Sequence, residues 1–263
     1  MTIPHLASNG NTLADLQTGN GLKDTLQITK EVNHLQLNWL MNWSHWSVPF
    51  EAVTGTLIKM PMVKALPVCS LDLWSGPKGN ELVHFMGGEL SRDHANNIYV
   101  ADTPKSIWSL LIQMEARRGV GSWADYIAYC KIRASENRHL LAIVDYADGL
   151  VTVDPGTTAC HGDLTLENIL YDGKRLYVID PNPVEPWTHV ALDYGKILFS
   201  LMGYHEYFGS YWLREKWNNL RDYLLSEPLY VACMLTHCVR LAGYYPAEDV
   251  VGFSRAVFER IKT

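Results

Sequence analysis

The chain has 263 residues, of which 48% are hydrophobic and 19% are charged. This composition is typical of a globular protein with a sizeable core, and it excludes a disordered or fibrous chain. The formal net charge of -6 at pH 7 argues against a nucleic-acid partner bound through a basic face.

Residues 1–88 are predicted to form a small domain of strands plus one helix. From Glu31 onward the apolar residues follow a helical period, which predicts the helix. Apolar runs at residues 56–60 and 81–86 predict strands on either side of a turn that contains Gly and Pro.

Residues 89–263 are predicted to form a larger, mainly helical domain. Pro104 at a first helical position and Gly119 at a helix end bound one predicted helix, and Ser122 with Asp125 opens the next. Three or four more helices are predicted from apolar periodicity, at roughly 190–202, 211–225, 227–241 and 247–261. The predicted fold class is therefore α+β, with a small lobe and a larger helical lobe.

A β-hairpin is predicted inside the helical part. Residues 168–171 and 175–179 are short strand-like runs on either side of Asp172-Gly173, a residue pair that favours a hairpin turn. Because a hairpin brings its two ends together, polar side chains before the first strand and after the second are expected to meet.

The polar side chains at these two ends are Asp163, Asn168 and Asp180. They offer two carboxylates and an amide oxygen, which suit Mg²⁺ because it binds through one or two carboxylates plus substrate phosphates. A carboxylate that does not bind the metal can accept a proton from an attacking hydroxyl group. The pattern therefore predicts a metal-assisted reaction at the end of the hairpin.

The residues around the hairpin resemble a known family. HGDLTLENIL at residues 161–170, followed by YVID at residues 177–180, closely resembles the catalytic and metal-binding segments of the aminoglycoside phosphotransferase and choline kinase-like group. That group is the small-molecule kinase branch of the protein-kinase-like fold. The resemblance is firm over residues 158–203 and topological elsewhere. It implies a two-lobed kinase-like fold with ATP and Mg²⁺ as cofactors.

The resemblance also implies roles for individual residues. Asp163 would position or deprotonate the acceptor hydroxyl, and Asn168 and Asp180 would bind the Mg²⁺ that bridges the ATP phosphates. His161 would orient the catalytic loop without acting as a general base. Asp193, which begins the next helix, would brace that loop from below.

A small-molecule acceptor is expected rather than a peptide. Only the twelve residues 181–192 lie between Asp180 and Asp193, and no Ala-Pro-Glu follows. A protein kinase needs a long activation segment there. Aromatic residues in or after this link either stack on a ring-shaped acceptor or belong to the core, namely Trp187, Tyr207 and Trp212.

The N-terminal lobe matches the family less well. By resemblance, Lys23 and Glu31 are the candidates for the phosphate-binding lysine and its helix partner. Lys59 and Lys64 compete with Lys23, and a surface location is the ordinary alternative for all three lysines. The adenine-binding hinge is placed at either residues 62–67 or residues 84–88. Lys196 is expected to be solvated or paired with an aspartate.

Three functions are consistent with the sequence. The leading one is an ATP- and Mg²⁺-dependent phosphotransferase that acts on a hydroxyl of a small polar metabolite, such as a sugar, glycan precursor, nucleoside or amino alcohol. The second is a pseudokinase-like binding or regulatory module without phosphotransfer. The third is a kinase-like enzyme that transfers a nucleotidyl group, which would release a different nucleotide product.

Cysteine usage and hydropathy predict the compartment. The five cysteines are odd in number and show no C-x-x-C spacing, so we expect buried thiols without a disulfide framework or zinc knuckle. No run approaches the ~18 apolar residues of a membrane span. A cytoplasmic protein without a membrane span is expected.

Overall fold

The computed structural model describes seven stretches of the chain, residues 27–61, 66–67, 107–134, 137–171, 176–183, 186–208 and 218–261. Several residues singled out from the sequence lie outside these stretches, namely Lys23, Lys64, Trp212, the predicted strand at 81–86 and the second hinge candidate at 84–88.

A three-stranded antiparallel sheet and one helix make up the first described stretch. The central strand β3 pairs with both of the others. In chain order the elements are β1 (Gln27–Glu31), α1 (His34–Asn42), β2 (Glu51–Ala52) and β3 (Leu57–Pro61). The prediction of strands plus one helix is confirmed for these residues.

The start of α1 is fixed by a capping box. The Asn33 side chain accepts the backbone N–H of Gln36 at 2.9 Å, and the Gln36 side chain accepts the backbone N–H of Asn33 at 2.9 Å. Glu31 ends β1, where it pairs with Leu57. The prediction that the helical pattern starts at Glu31 is therefore wrong, because strand pairing continues up to that residue.

The larger part of the described chain is helical, in agreement with the prediction, and Ser122 with Asp125 does open a helix. Its elements are α2 (Ile107–Glu115), α3 (Trp123–Ala134), α4 (Arg138–Leu150), α5 (Ala191–Phe199), α6 (His205–Phe208), α7 (Asn218–Leu225), α8 (Pro228–Arg240) and α9 (Ala247–Ile261). A π-helical turn, Ser200–Tyr204, joins α5 to α6. The predicted mixed fold, with a small strand-containing part and a larger helical part, is confirmed.

α5 is the central helix of this part, and all of its residues are buried. It packs most extensively against α8. The approach is close at Gly195, where an added Cβ would lie 2.7 Å from the Cβ of Cys233. Because a buried polar side chain is costly without a hydrogen-bond partner, Asp193 and Lys196 on this helix require partners from neighbouring elements.

The predicted hairpin is confirmed. β5 (Ile169–Tyr171) and β6 (Leu176–Val178) pair antiparallel, with Ile169 opposite Val178. A short strand, β4 (Leu66–Pro67), pairs with β5 on its other side. β4 lies within the first of the two hinge candidates, so this stretch borders the hairpin.

α1 and the turn after it are attached to the helical part. The Arg117 guanidinium, just beyond α2, lies 4.3 Å from the centroid of the Trp43 ring. The backbone oxygen of Trp46 accepts the N–H of Val178 in β6 at 2.8 Å. The small and large parts therefore share a packed boundary that includes the hairpin.

The described cysteines are buried thiols, at Cys130, Cys160, Cys233 and Cys238. None of the helices in the described stretches combines the length and apolar character that crossing a membrane requires.

Candidate active site

The loop at residues 161–168, called the catalytic loop for its sequence resemblance, is held by the side chain of Asp193 on α5. One oxygen of its carboxylate accepts the backbone N–H of His161 at 2.7 Å, and the other accepts the N–H of Gly162 at 2.8 Å. Asp193 is fully buried. Burial raises the pKa of Asp193 to about 7, while the two N–H donors act in the opposite direction. This geometry places Asp193 where the sequence predicted a bracing residue.

Gly162 is required by the backbone of this loop. Its φ of +82° lies in the left-handed region, and an added Cβ would lie 2.1 Å from the backbone oxygen of Asn182. The N–H of Asn182 in turn donates to the backbone oxygen of His161 at 2.8 Å. The link that follows the hairpin is therefore tied directly to the catalytic loop.

Asp163 presents its carboxylate between two side chains. Lys196 Nζ lies 2.9 Å from Oδ1. Asn168 Nδ2 donates to the backbone oxygen of Asp163 at 2.7 Å and to Oδ2 at 3.3 Å. The Asp163 side chain is 32% exposed, so it can reach a ligand.

The charge of Asp163 is set by its surroundings. Burial alone would raise the pKa of its carboxyl group, but the charge and hydrogen bond of Lys196, aided by Arg240, outweigh burial and lower it. Asp163 is therefore ionised at neutral pH. Burial in turn lowers the pKa of Lys196, which Asp163 partly restores.

The two ends of the hairpin meet as predicted. The N–H of Ile179 donates to the backbone oxygen of Asn168 at 3.0 Å. Asp180 follows directly, with a side chain that is 46% exposed and a φ of 57°. An aspartate tolerates this left-handed backbone better than most residues, yet it is still strained there, and such strain is commonly found at functional sites.

His161 joins the catalytic loop to the hairpin. Its Nδ1 accepts the N–H of Asp163 at 3.3 Å, so Nε2 carries the proton and donates to the backbone oxygen of Ile179 at 3.0 Å. Burial lowers the pKa of His161 to about 4, which keeps the ring neutral. The Trp39 ring of α1 meets the His161 ring edge-on, with centroids 4.8 Å apart.

Lys30 is a site residue that the sequence reasoning missed. It lies on β1, its side chain is 14% exposed, and its Nζ contacts Oδ1 of Asp180. Glu31, the neighbouring candidate, is exposed at the end of the same strand, and Lys59 is exposed on β3. α1 contains no carboxylate to pair with a strand lysine. The signal that could have found Lys30 is its place in the strand just before the helix, where kinases carry their phosphate-binding lysine.

Ser200 is a second missed residue. Its hydroxyl accepts the N–H of Leu166 at 3.2 Å and donates to the backbone oxygen of Lys196 at 3.1 Å. Asp193, Lys196 and Ser200 follow each other at helical spacing, so they share one face of α5 and its extension. That polar row in an otherwise apolar helix was the sequence signal.

The aromatic candidates divide between core and surface. Trp187 is fully buried, and its Nε1 donates to the backbone oxygen of Gly156 at 2.7 Å, so it belongs to the core. Tyr207 is 48% exposed and packs against the rings of Phe208 and Phe253.

The donor atoms suit a metal that is shared with phosphates. Among the described residues, no group of three His, Cys, Asp or Glu side chains is placed to hold a metal ion. The Asn168 amide nitrogen is used by Asp163, which leaves its side-chain oxygen for another partner. The half-exposed Asp180 carboxylate follows Ile179, whose N–H donates to the backbone oxygen of Asn168. One carboxylate and one amide oxygen fit Mg²⁺ that takes its other ligands from water and a nucleotide.

Three solved structures that align with most of the chain are small-molecule kinases. A choline kinase from Streptococcus pneumoniae is 13% identical, covers 92% of this chain and 88% of its own, and has a TM-score of 0.47. A glucosamine kinase is 15% identical with 90% and 75% coverage and a TM-score of 0.49. An ethanolamine kinase from Plasmodium vivax is 13% identical with 92% and 77% coverage and a TM-score of 0.42.

The sequence itself matches no protein-family model and no curated protein. The structural neighbours are of the same group that the HGDLTLEN segment resembles.

Proposed function

We propose that the chain is an ATP- and Mg²⁺-dependent phosphotransferase that acts on a hydroxyl group of a small polar metabolite. The observation that carries the proposal is the Asp163 carboxylate, which is ionised, 32% exposed, and held beside the hairpin end that bears Asp180. A positioned carboxylate in this state is suited to accept the proton of an attacking hydroxyl.

In the proposed reaction the terminal phosphoryl group of ATP is transferred to the acceptor hydroxyl. The acceptor oxygen forms a new bond to the terminal phosphorus of ATP, the bond from that phosphorus to the β-phosphate oxygen breaks, and ADP leaves. The hydroxyl proton passes to Asp163 and then to solvent. Mg²⁺, when bound by Asn168 and Asp180, supplies positive charge to the phosphate oxygens.

Lys30 supports the nucleotide side of the proposal. Its ammonium contacts Asp180 and reaches the site from strand β1 of the small sheet. A cation in this place can stabilise charge on the phosphates during transfer. We therefore assign to Lys30 the phosphate contact for which the sequence offered Lys23.

The acceptor is proposed to be a small molecule. Only twelve residues separate Asp180 from Asp193, and backbone hydrogen bonds hold Asn182 and Thr188 among them. Asn182 donates to the catalytic loop, and the N–H of Thr188 donates to the backbone oxygen of Val120 at 2.9 Å. Such a link leaves little backbone to hold a peptide substrate.

Thermal unfolding with and without Mg·ATP tests the nucleotide site. A ligand at 100 times its Kd adds about 2.7 kcal/mol, which corresponds to roughly 5–10 °C for a chain of this size. We expect this shift in the wild type and its loss in Asp180→Ala. Asp145→Ala, which breaks the exposed Lys131–Asp145 pair, is the matched control and should keep the shift.

A screen for ADP release with sugars, nucleosides and amino alcohols tests the transfer itself. Asp163→Asn should lower turnover by about 10²–10⁴-fold and retain the Mg·ATP shift. Release of AMP in place of ADP would support nucleotidyl transfer. A nucleotide shift without turnover of any acceptor or of water would support the binding module.

A further inference from the structure

We infer that Lys196 is a positioning residue that fixes the Asp163 carboxylate for proton transfer. The inference rests on the proposed phosphotransfer function and adds to it a residue outside the HGDLTLEN segment. Lys196 lies on the central helix α5, and its contribution would be exerted entirely through Asp163.

α5 presents a row of polar contacts to the catalytic loop. Asp193 holds the backbone N–H groups of His161 and Gly162, and Ser200 holds the N–H of Leu166. Lys196 lies between these two anchors. It is the member of the row that contacts a side chain of the loop, and that side chain is Asp163.

The ion pair is well placed to persist. The Lys196 side chain is 10% exposed, and its Nζ is 2.9 Å from Asp163 Oδ1 and 5.1 Å from the centroid of the Phe199 ring. In the described stretches, Asp163 is the carboxylate within ion-pair distance of this ammonium. Because a buried cation is costly without its anion, the pair holds the two side chains together.

The contact also distinguishes the two oxygens of Asp163. Oδ1 is held by the Lys196 ammonium at 2.9 Å, whereas Oδ2 has the longer 3.3 Å contact with the Asn168 amide. Oδ2 is therefore the less closely held oxygen, and it is the one that we assign to accept the hydroxyl proton. Without Lys196, the carboxylate can rotate, and a displacement of about 1 Å at a reacting group can lower a rate 10²-fold.

The test uses Mg·ATP with water as the acceptor, so it requires no identified metabolite. In this reaction water attacks the terminal phosphorus, and ADP and inorganic phosphate form. Lys196→Met should lower kcat about 100-fold and leave the KM for Mg·ATP within about twofold. The double variant Lys196→Met with Asp163→Asn should be no slower than Asp163→Asn alone, because both changes act on one group.

Lys131→Met is the matched control. It removes an ion pair with the same 2.9 Å separation, to Asp145, but on an exposed helix surface, and it should leave kcat unchanged. Lys196→Arg keeps the charge if Lys196→Met does not fold. Its planar guanidinium holds a carboxylate in a different geometry, so Lys196→Arg should still lower kcat. The same substitution in the Asp163→Asn background should leave kcat unchanged.

The outcomes separate the inference from the function on which it rests. A wild type that forms no ADP, either with water or with any acceptor of the screen above, overturns the phosphotransfer proposal. A wild type that is active, with Asp163→Asn inactive and Lys196→Met unimpaired, overturns the role of Lys196 alone. The role of Lys196 is also overturned if the fold-losses in kcat of the two single variants multiply in the double variant, because Lys196 would then act independently of Asp163.

Discussion

Replacing Asp193 with asparagine should destabilise the fold far more than the small change in shape suggests. The carboxylate is fully buried and accepts two backbone N–H groups, from His161 at 2.7 Å and from Gly162 at 2.8 Å. An asparagine keeps one acceptor oxygen and turns an NH₂ group toward the other donor. One buried N–H therefore loses its partner.

The expected loss in the free energy of unfolding follows from the number of buried N–H groups that lose their acceptor. A buried donor left without an acceptor costs about 1–3 kcal/mol, so Asp193→Asn should lose about that amount and Asp193→Ala, which leaves two donors, about twice as much. Native domains are stable by only ~5–15 kcal/mol, so the alanine variant approaches the limit of folding.

Urea unfolding followed by tryptophan fluorescence measures these losses, provided that the slope with denaturant is unchanged. Asp222→Asn, which alters an exposed carboxylate paired with Arg221, is the control and should change stability by less than about 1 kcal/mol. A loss for Asp193→Asn no larger than that of the control would refute the reasoning.

The stability of the wild type and of Asp193→Asn should also differ in its dependence on pH. Burial raises the pKa of Asp193 to about 7, above its ordinary value near ~3.9. Between these values the folded state binds more protons than the unfolded state, so the Asp193 contribution to stability falls as pH rises from about 4 to about 7 and changes little above that. The advantage of the wild type over Asp193→Asn should therefore be larger at about pH 5 than at about pH 8, and an increase with pH would contradict it.

Two further predictions concern the loop and the sheet. Gly162→Ala places a Cβ 2.1 Å from the backbone oxygen of Asn182 and should lower the free energy of unfolding by more than about 1 kcal/mol in the same urea assay. Gly149→Ala, in open space on α4, is the control and should raise it by about 0.5–1 kcal/mol. Equal effects of the two substitutions would contradict the close approach at Gly162. Lys30→Met should weaken Mg·ATP binding by about 10–100-fold, measured by titration calorimetry, and Lys59→Met on the same sheet should not. Equal affinities would remove Lys30 from the phosphate side.

The part of the site that is local in sequence could be predicted. The hairpin follows from Asp172-Gly173 between two apolar runs, and a hairpin necessarily brings Asn168 close to the residues before Asp180. Helical spacing likewise located α5 and its neighbours. These signals lie within about ten residues of one another, where turn geometry and periodicity determine the structure.

The residues that were missed depend on contacts distant in sequence. Lys30 contacts Asp180 from 150 residues away, and β1 is defined by its pairing with β3 rather than by any strong local pattern. Ser200 was missed because the polar row that it forms with Asp193 and Lys196 does not by itself show which part of the chain the row contacts. Its function appears only with Leu166, 34 residues earlier, packed against it.

The contacts of α1 have a consequence for how the two parts of the chain can move. Trp39 abuts His161, Arg117 covers Trp43, and the oxygen of Trp46 is bonded to Val178 of the hairpin. Mechanically, α1 is thus anchored to the catalytic loop, although in sequence it lies between strands β1 and β2 of the small sheet. If the chain binds ATP as we propose, the opening that admits it is expected to hinge between α1 and the strands on either side of it, moving Lys30 while α1 stays in place.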